Sequence, residues 1–555
     1  MIMALVFPAI LWAGFPAGPT DGQAFWNGGV LYIYDAGNAV WQKSASPVAI
    51  ENGGTGATLA DPGADKIFFW DDSEGSASFL SVGSGLSLSG TTLTATGGGS
   101  PSQNLITNSG LGVCSQSTRE VNPDHAADLA SNGGFDSSTT GWTVLGGATL
   151  ASVSGGQSGN CLEVTVTGGT SQGAVQSISV EAGKLYRYTV YVKSGTAGDQ
   201  PFMLNAYDGG GSTFNEQITG TSTSSWTQYT IVFVPTVTNP TISLKKYSAT
   251  AGTILFDTAS VHEVVPAFLS ANDFAPDGWS KSPNIDIYRL FKTDLSVANS
   301  SLYGVKLVAA SGGVVLQWPR NYDNIQHVSK FAGKTISFGA YVTSSYADDA
   351  RIYIYDVSGS STTTYSSYHT GSGTREWLEA SRTVPSNCTA LAVAIVINTS
   401  GHSAYFSDPV MVTGNAIGEG NYMPIGQEII FLDSGITGNS DGNSFSDVAS
   451  GKWFWEAEYN GKIPKNARAV YAAMTARDSS SYSSDSFIIF YNGASGTQPA
   501  GYVNTSGLVN DTRNRVTGIL TTYSYNDTIV TDYSIEASGS STLDLTVRPY
   551  AVQLR

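Results

Sequence analysis

The sequence predicts an all-β protein made of sandwich modules, and three observations carry that prediction. Apolar and polar residues alternate over short runs, as in Leu543, Leu545 and Val547 against Asp544, Thr546 and Arg548, the period of a strand with one face inward. The runs are bounded by Gly, Asn, Asp and Ser, and charged residues make up only 13% of the chain, the pattern of strands joined by tight turns. The same pattern then recurs at an offset of about 150 residues. Gly183-Lys184-Leu185-Tyr186-Arg187-Tyr188 aligns with Gly333-Lys334-Thr335-Ile336-Ser337-Phe338, and the run to Asp208 aligns with the run to Asp356. Trp226 answers Trp377, Pro235 answers Pro385, and each copy closes on an apolar strand with an aspartate, Asp257 and Asp408. Two modules of one fold in tandem suit multivalent binding better than a single catalytic centre. A chain of 555 residues has room for roughly three or four domains, each able to bury a core.

Composition narrows the partners. There are 44 acidic and 27 basic residues, a net charge of −17, and no basic cluster. Bare nucleic acid is therefore not expected as a partner, because phosphate neutralisation supplies most of that affinity. Three cysteines, Cys114, Cys161 and Cys388, are too few for a disulfide framework and read as small buried hydrophobes of a protein made in a reducing cytosol.

Residues 1–45 form the first unit. The apolar run around Ala4-Leu5-Val6-Phe7 and Ile10-Leu11-Trp12 is preceded by no Lys or Arg, is interrupted by Pro8 and Pro16, and is too short to span a bilayer. No membrane insertion is expected; the segment reads as a peptide that docks into another protein, with a hairpin from Pro19 to Lys43 turning at Trp26-Asn27-Gly28-Gly29 and covered by Trp41. Residues 46–100 carry Asn52-Gly53-Gly54-Thr55-Gly56-Ala57, then Asp65-Lys66-Ile67-Phe68-Phe69-Trp70-Asp71-Asp72, then Gly85-Leu86-Ser87-Leu88-Ser89-Gly90-Thr91-Thr92-Leu93, and end in the linker Gly97-Gly98-Gly99-Ser100.

Those three segments, in that order, resemble the shaft region of tailed-bacteriophage fibre proteins. The resemblance implies a homotrimeric shaft whose chains bury a shared core, an N-terminus attached to a tail, baseplate or head protein, and localisation on the virion after synthesis in the host cytoplasm. Asn104-Leu105-Ile106-Thr107-Asn108-Ser109-Gly110-Leu111-Gly112-Val113 resembles the opening strand of a lectin-like fibre module, yet the rest of that module is delayed. Asn132-Gly133-Gly134-Phe135-Asp136 with Gly141-Trp142 resembles the start of a carbohydrate-binding jelly roll over residues 129–264, and a second lectin-like jelly roll follows over 265–425. Either the first module is inserted into the second, with 104–128 holding the second module's opening strand and a connection, or the modules are sequential with a spare hairpin. Insertion requires 104–113 to meet residues near 404–413; sequential order puts it against 254–263. Residues 426–555, with Ile463-Pro464-Lys465 and the closing strand at Leu543, resemble the β-sandwich tip of such fibres.

The resemblance makes host-surface polysaccharide the expected ligand, and lectin sites combine aromatic platforms with planar hydrogen-bonding side chains. In the second module Arg351, Tyr353 and Tyr355 alternate away from Ile352 and Ile354, with Asp356 at the end of the run; in the first, Met203, Asn205 and Tyr207 match, followed by Asp208. Trp318, before Pro319-Arg320-Asn321-Tyr322, is a further loop candidate. Trp226 and Trp377 are expected in the cores. Jelly-roll modules of this kind hold a structural calcium, which the resemblance carries to Asp136 and Asp257; no other cofactor is expected. No histidine spacing, nucleophile elbow or phosphate loop points to catalysis, and Glu456 and Glu458, on the same side of a strand and compatible with a carboxylate pair, read as a solvated face. The expected function is attachment to host glycans without catalysis. A polysaccharide-degrading spike and a purely structural decoration fibre are the alternatives.

Overall fold

The computed structural model describes residues 15–27 and 30–43 and the strands at 67–71, 76–80, 86–89 and 92–95. From 104 onward it describes all but 209–212, 292–293, 295–301, 320–327, 420–427, 434–442, 447–448, 456–458, 460, 479–486, 493–497, 505–512, 526–527, 537–541 and 555. The apolar stretch before Phe15, the Asn52-Gly53-Gly54 segment, the Gly97-Gly98-Gly99-Ser100 linker, the Glu456 and Glu458 pair, and Arg320, Asn321 and Tyr322 lie outside the described residues.

The chain divides into two compact units, residues 1–99 and 100–555. In the first, Ala24–Asn27, Val30–Asp35 and Val40–Lys43 form a three-stranded antiparallel sheet. Phe15 packs on Phe25, Tyr32 and Trp41 at centroid distances of 5.0 to 5.3 Å, so the expected Trp41 cover is one ring of a cluster. Two hairpins follow, Ile67–Asp71 with Ser76–Leu80 and Leu86–Ser89 with Thr92–Ala95.

The second unit is all-β, with its elements paired antiparallel into sandwich modules around separate cores. In the first module a five-stranded sheet, ordered Thr213–Thr221, Pro201–Asp208, Thr241–Lys246, Gln172–Ser177, Thr143–Leu145, packs over strands that include Asn160–Val166, Tyr186–Ser194 and Gly252–Phe268. Phe202, Leu204, Ile242 and Leu244 fill the space between the sheets from one side, and Leu162, Val190, Val192 and Phe256 from the other. The second module repeats the plan. Its five-stranded sheet runs Ser280–Lys281, Val314–Trp318, Ala390–Ile397, Ala350–Val357, Ser361–Tyr365, over strands that include Tyr303–Ala309, Thr335–Thr343 and Ser403–Thr413. The 17-residue strand Gly252–Phe268 serves both modules, pairing with Tyr186–Ser194 along its length and with Ile285–Phe291 at Ala267 and Phe268, so one 11-stranded sheet runs through both.

The opening segment packs with the second module. Leu105 N–H donates to Met411 O at 2.9 Å, Asn104 Nδ2 donates to Pro409 O at 2.8 Å, and Ile106, Leu111 and Cys114 are buried in the second core. The hydrogen bonds thus run to residues 409–411 and not to 254–263. Chain entry to and exit from the first module are neighbours, since Thr118–Val121 pairs with Val264–Ala267 in register Thr118 to Ala267. Backbone geometry repeats too. Asn108 and Leu111 in one opening segment, and Asn132 and Phe135 in the other, take φ of 49 to 54°. Gly133 permits the close approach of the closing strand, since a Cβ there would sit 1.7 Å from Ala259 O.

Residues beyond 427 form a third sandwich of two sheets, one built on Thr542–Leu554 and Ala467–Asp478, the other on Thr528–Glu536 and Phe487–Asn492. Val113 joins its core beside Trp455, Tyr459 and Ile463. Cys114 and Cys161 are fully buried and all three cysteines are free; burial raises their thiol pKa values, to about 12 and about 11 for these two.

Candidate functional site

Strand Ala350–Val357 alternates strictly. Ala350, Ile352, Ile354 and Asp356 are buried, and Arg351, Tyr353 and Tyr355 are half-buried on the opposite face. On one side lies the edge strand, with Tyr365 opposite Tyr353 and Thr363 opposite Tyr355. On the other, Ala394 stands opposite Tyr353 and Ala392 opposite Tyr355, and beyond Ala394 comes Gln317. Small side chains on Ala392 and Ala394 set a floor, with tyrosines rising along one side and Gln317 on the other. Tyr365 is 45% exposed and meets Tyr353 edge-on at 5.5 Å. The Arg351 guanidinium carbon sits 3.5 Å from the Tyr365 centroid and 4.2 Å from that of Tyr368, whose hydroxyl accepts a hydrogen bond from Asn398 Nδ2 at 3.2 Å. This face therefore carries aromatic rings, phenol hydroxyls and a guanidinium in contact with two rings.

Asp356 is turned the other way. It is fully buried and bonded to Arg382 Nε, with Ser358 Oγ donating at 3.4 Å, so it ties the two sheets together on the core side. Trp318 is 8% exposed within the second core, and its Nε1 donates to Thr107 Oγ1 at 3.2 Å, fastening the opening segment.

In the first module Phe202, Leu204 and Ala206 point into the core, while Met203, Asn205 and Tyr207 occupy the other face, 8%, 0% and 7% exposed. Asn205 accepts from Ser243 Oγ at 2.9 Å and donates to Gln217 Oε1 at 3.3 Å, a polar row across three strands. The Lys245 ammonium lies 5.4 Å from the Tyr207 centroid; burial pulls its pKa down and pushes that of Tyr207 up. Asp208 clasps a loop, accepting from Thr236 N at 2.8 Å and from its hydroxyl. The equivalent faces thus differ in chemistry: the first is buried and polar, while the second is aromatic, with Ala392, Ala394 and Gln317 buried, Tyr353 and Tyr355 half-buried and Tyr365 exposed at its edge strand.

Asp136 and Asp257 converge on the turn that ends at Asn160. Asp257 accepts from Ser158 N at 3.0 Å and Thr258 N at 2.6 Å; Asp136 accepts from Asn160 N at 3.2 Å. Burial raises the Asp257 pKa, the N–H groups of Ser158, Thr258 and Gln157 oppose it, and the charge of Asp136 adds to the rise. The two carboxylates are close enough to feel each other, and each accepts backbone N–H groups of this turn. Among the described residues no group of three or more His, Cys, Asp or Glu side chains could hold a metal.

Two sequence expectations need correction. Asp257 pairs with Tyr191, and its structural equivalent opposite Tyr341 is Ser407; both closing strands bulge at this point, and Asp408 matches Thr258, both with φ of 50°. Trp226 and Trp377 are half-buried rather than core residues. Trp377 stacks edge-on with Tyr341 at 4.9 Å on the outer face of its sheet, over Gly339, and beside Val410, Val412 and Ile417.

Sequence reasoning missed Tyr365, Tyr368, Gln317, Ala392, Ala394, Ser243, Gln217 and Lys245. The run Ala390-Leu391-Ala392-Val393-Ala394, small on one face and large on the other, was the signal for the floor. Among the described residues no helix is long and apolar enough to cross a membrane.

Residues 127–250 match a family described as carbohydrate binding domain. A comparison with curated proteins returns no match. Among solved structures, the CBM22 tandem domain of Paenibacillus barcinonensis Xyn10C is 16% identical, covering 52% of this chain and 98% of its own, with a TM-score of 0.26. TmCBM61 in complex with β-1,4-galactotriose is 17% identical over 25% of this chain and 99% of its own, at 0.21. The enzymatically active domain of bacteriophage CBA120 tailspike protein 4 is 18% identical over 24% of this chain and 21% of its own, also at 0.21.

Proposed function

We propose that the chain is a non-catalytic glycan-binding attachment protein, a homotrimeric fibre or spike of a bacteriophage particle that engages host-surface polysaccharide through its two jelly-roll modules. The observation that carries this reading is the tyrosine-walled face of Tyr353, Tyr355 and Tyr365 over Ala392 and Ala394, in a module that repeats the plan of the one matching a carbohydrate-binding family. A pyranose lays its CH-rich face on the tyrosines, and its hydroxyls meet the phenol hydroxyls. Each site is shallow, and three chains bearing two modules each turn weak sites into avidity. Cleavage would need two carboxylates flanking the bound sugar; the acid of the platform strand, Asp356, is held by Arg382 on the core side.

In this reading residues 129–264 are an insertion carried by the second module, whose first strand is 104–113. Asp136 and Asp257 hold a structural calcium that braces the first module, and residues 1–45 dock on a virion protein. Particles assembled with a chain lacking residues 1–45 test the attachment role. The shortened chain is expected to remain soluble and oligomeric but absent from particles; incorporation at normal density contradicts the reading.

A further inference from the structure

We propose that the second module selects an acidic glycan, one bearing carboxylate or phosphate, and that Arg351 reads the charge; this rests on the glycan-binding reading above. The guanidinium carbon lies 3.5 and 4.2 Å from the ring centroids of Tyr365 and Tyr368, so two aromatic rings hold it in place. Nε is shut off from solvent without an acceptor, and among the described residues Arg351 makes no ion pair. Several other cations of the two modules are paired. Arg382 is paired with Asp356, Lys306 with Asp124, and Lys184 with Glu181, Glu263 and Asp294. In a chain with 44 acidic residues, the guanidinium beside the tyrosine face is thus without a carboxylate partner among the described residues.

Position and geometry agree with that role. Arg351 and Tyr353 share a face two residues apart, roughly 7 Å along the strand, so a sugar stacked on Tyr353 brings an exocyclic acid, or the next residue of the polymer, to the guanidinium edge. A planar fork held by two ring contacts donates two parallel hydrogen bonds to a carboxylate or phosphate and gives up little side-chain freedom on binding. The first module carries Met203 at the corresponding position and lacks the charge.

The test is retention of the full chain on polygalacturonate, carboxyl-reduced polygalacturonate, a glycerol-phosphate polymer and dextran, over a series of NaCl concentrations. Wild type is expected to bind at least one acidic polymer roughly ten-fold tighter than the neutral ones, with the preference shrinking as salt rises. Arg351→Gln should lose about ten-fold on that polymer and nothing on the neutral ones. Arg375→Gln, which removes a guanidinium stacked on Tyr341 in the other sheet, is the control and should change nothing. Arg351→Lys keeps the charge and stem and should still lose affinity through the missing fork, which guards against a glutamine variant that folds poorly. Preference for the carboxylate or the phosphate polymer identifies the anion. Equal binding to acidic and neutral polymers, unmoved by Arg351→Gln, overturns the inference and leaves glycan binding standing. Retention on none of the four contradicts both.

Discussion

Asn104 holds Met411 across 307 positions of the chain, its Oδ1 accepting the Met411 N–H at 3.0 Å. The first module makes the same bond between Asp128 and Val261, at 2.8 Å across only 133 positions. In both, the same oxygen also accepts the N–H two residues on, Ile106 or Ala130. One device thus starts both modules, and the longer reach of the second comes from the chain lying between its opening and its body. Replacing residues 119–266 by a short Gly/Ser link is expected to leave the second module folded, because Thr118 and Ala267 are paired neighbours. Loss of its cooperative melting transition would show instead that the second module depends on the first.

Asn104→Ala removes an acceptor for two buried N–H groups and a donor to Pro409 O. A loss of about 1–3 kcal/mol is expected in the second module, read by hydrogen exchange of Ser403–Thr413, with the first module unchanged. Uniform loss across both modules would contradict this assignment.

Gly133→Ala should be far worse than its size suggests. The new Cβ meets the Ala259 carbonyl at 1.7 Å, and backbone cannot move aside as a side chain can, so the variant should melt much lower than wild type or fail to fold. Gly339→Ala would instead push on the Trp377 ring at 2.1 Å, and a milder loss is expected. Equal melting temperatures for the two variants would refute the argument.

Lys245 lies buried beside Tyr207, and burial lowers its pKa. The folded chain therefore holds that proton less tightly than the unfolded chain. The contribution is favourable above the unfolded pKa and is lost as pH falls through the folded one, so at pH 7 the buried charge costs stability. Lys245→Met should raise the melting temperature at pH 7, with the gain shrinking toward pH 10. A lower melting temperature at pH 7 would mean that Lys245 stabilises the face it lies on.

Asp257 has the opposite sign. Its raised pKa means that its contribution is present below the unfolded value and lost as pH rises through the folded one, leaving a strained carboxylate at pH 7 that a cation would relieve. Calcium should raise the first module's melting temperature at pH 7, less so as pH falls and the proton competes, and not at all in Asp257→Asn. Identical melts in calcium and in chelator would remove the metal from the account.

Alternation made much of this architecture legible. Ile352 and Ile354 against Tyr353 and Tyr355 is a pattern that only a half-buried strand explains, and the structure keeps that division. At the closing strands the offset of 150 already sets Asp257 against Ser407, as the structure does, and the bulge is shared by both; it was the common acidic residue that made Asp257 and Asp408 look equivalent. Counting failed at Trp226, because Gln228 stands opposite Tyr191 where Trp377 stands opposite Tyr341. Asp208 and Asp356 looked like ligand groups because strand ends are often exposed, but Thr236 and Arg382, remote in sequence, occupy them. The partners of Arg351 were hidden for the same reason, since Tyr365 and Tyr368 reach it only after the hairpin turns back.

The central claim is tested most directly by binding of the full chain to intact host-envelope polysaccharide, for wild type and the Tyr353→Ala/Tyr355→Ala double variant, with released reducing ends assayed in the same samples. The account predicts retention of wild type, loss of roughly ten-fold or more in the variant with unchanged melting, and no new reducing ends. Undiminished binding by the variant would place the glycan elsewhere, and reducing ends that accumulate with time would make the protein an enzyme.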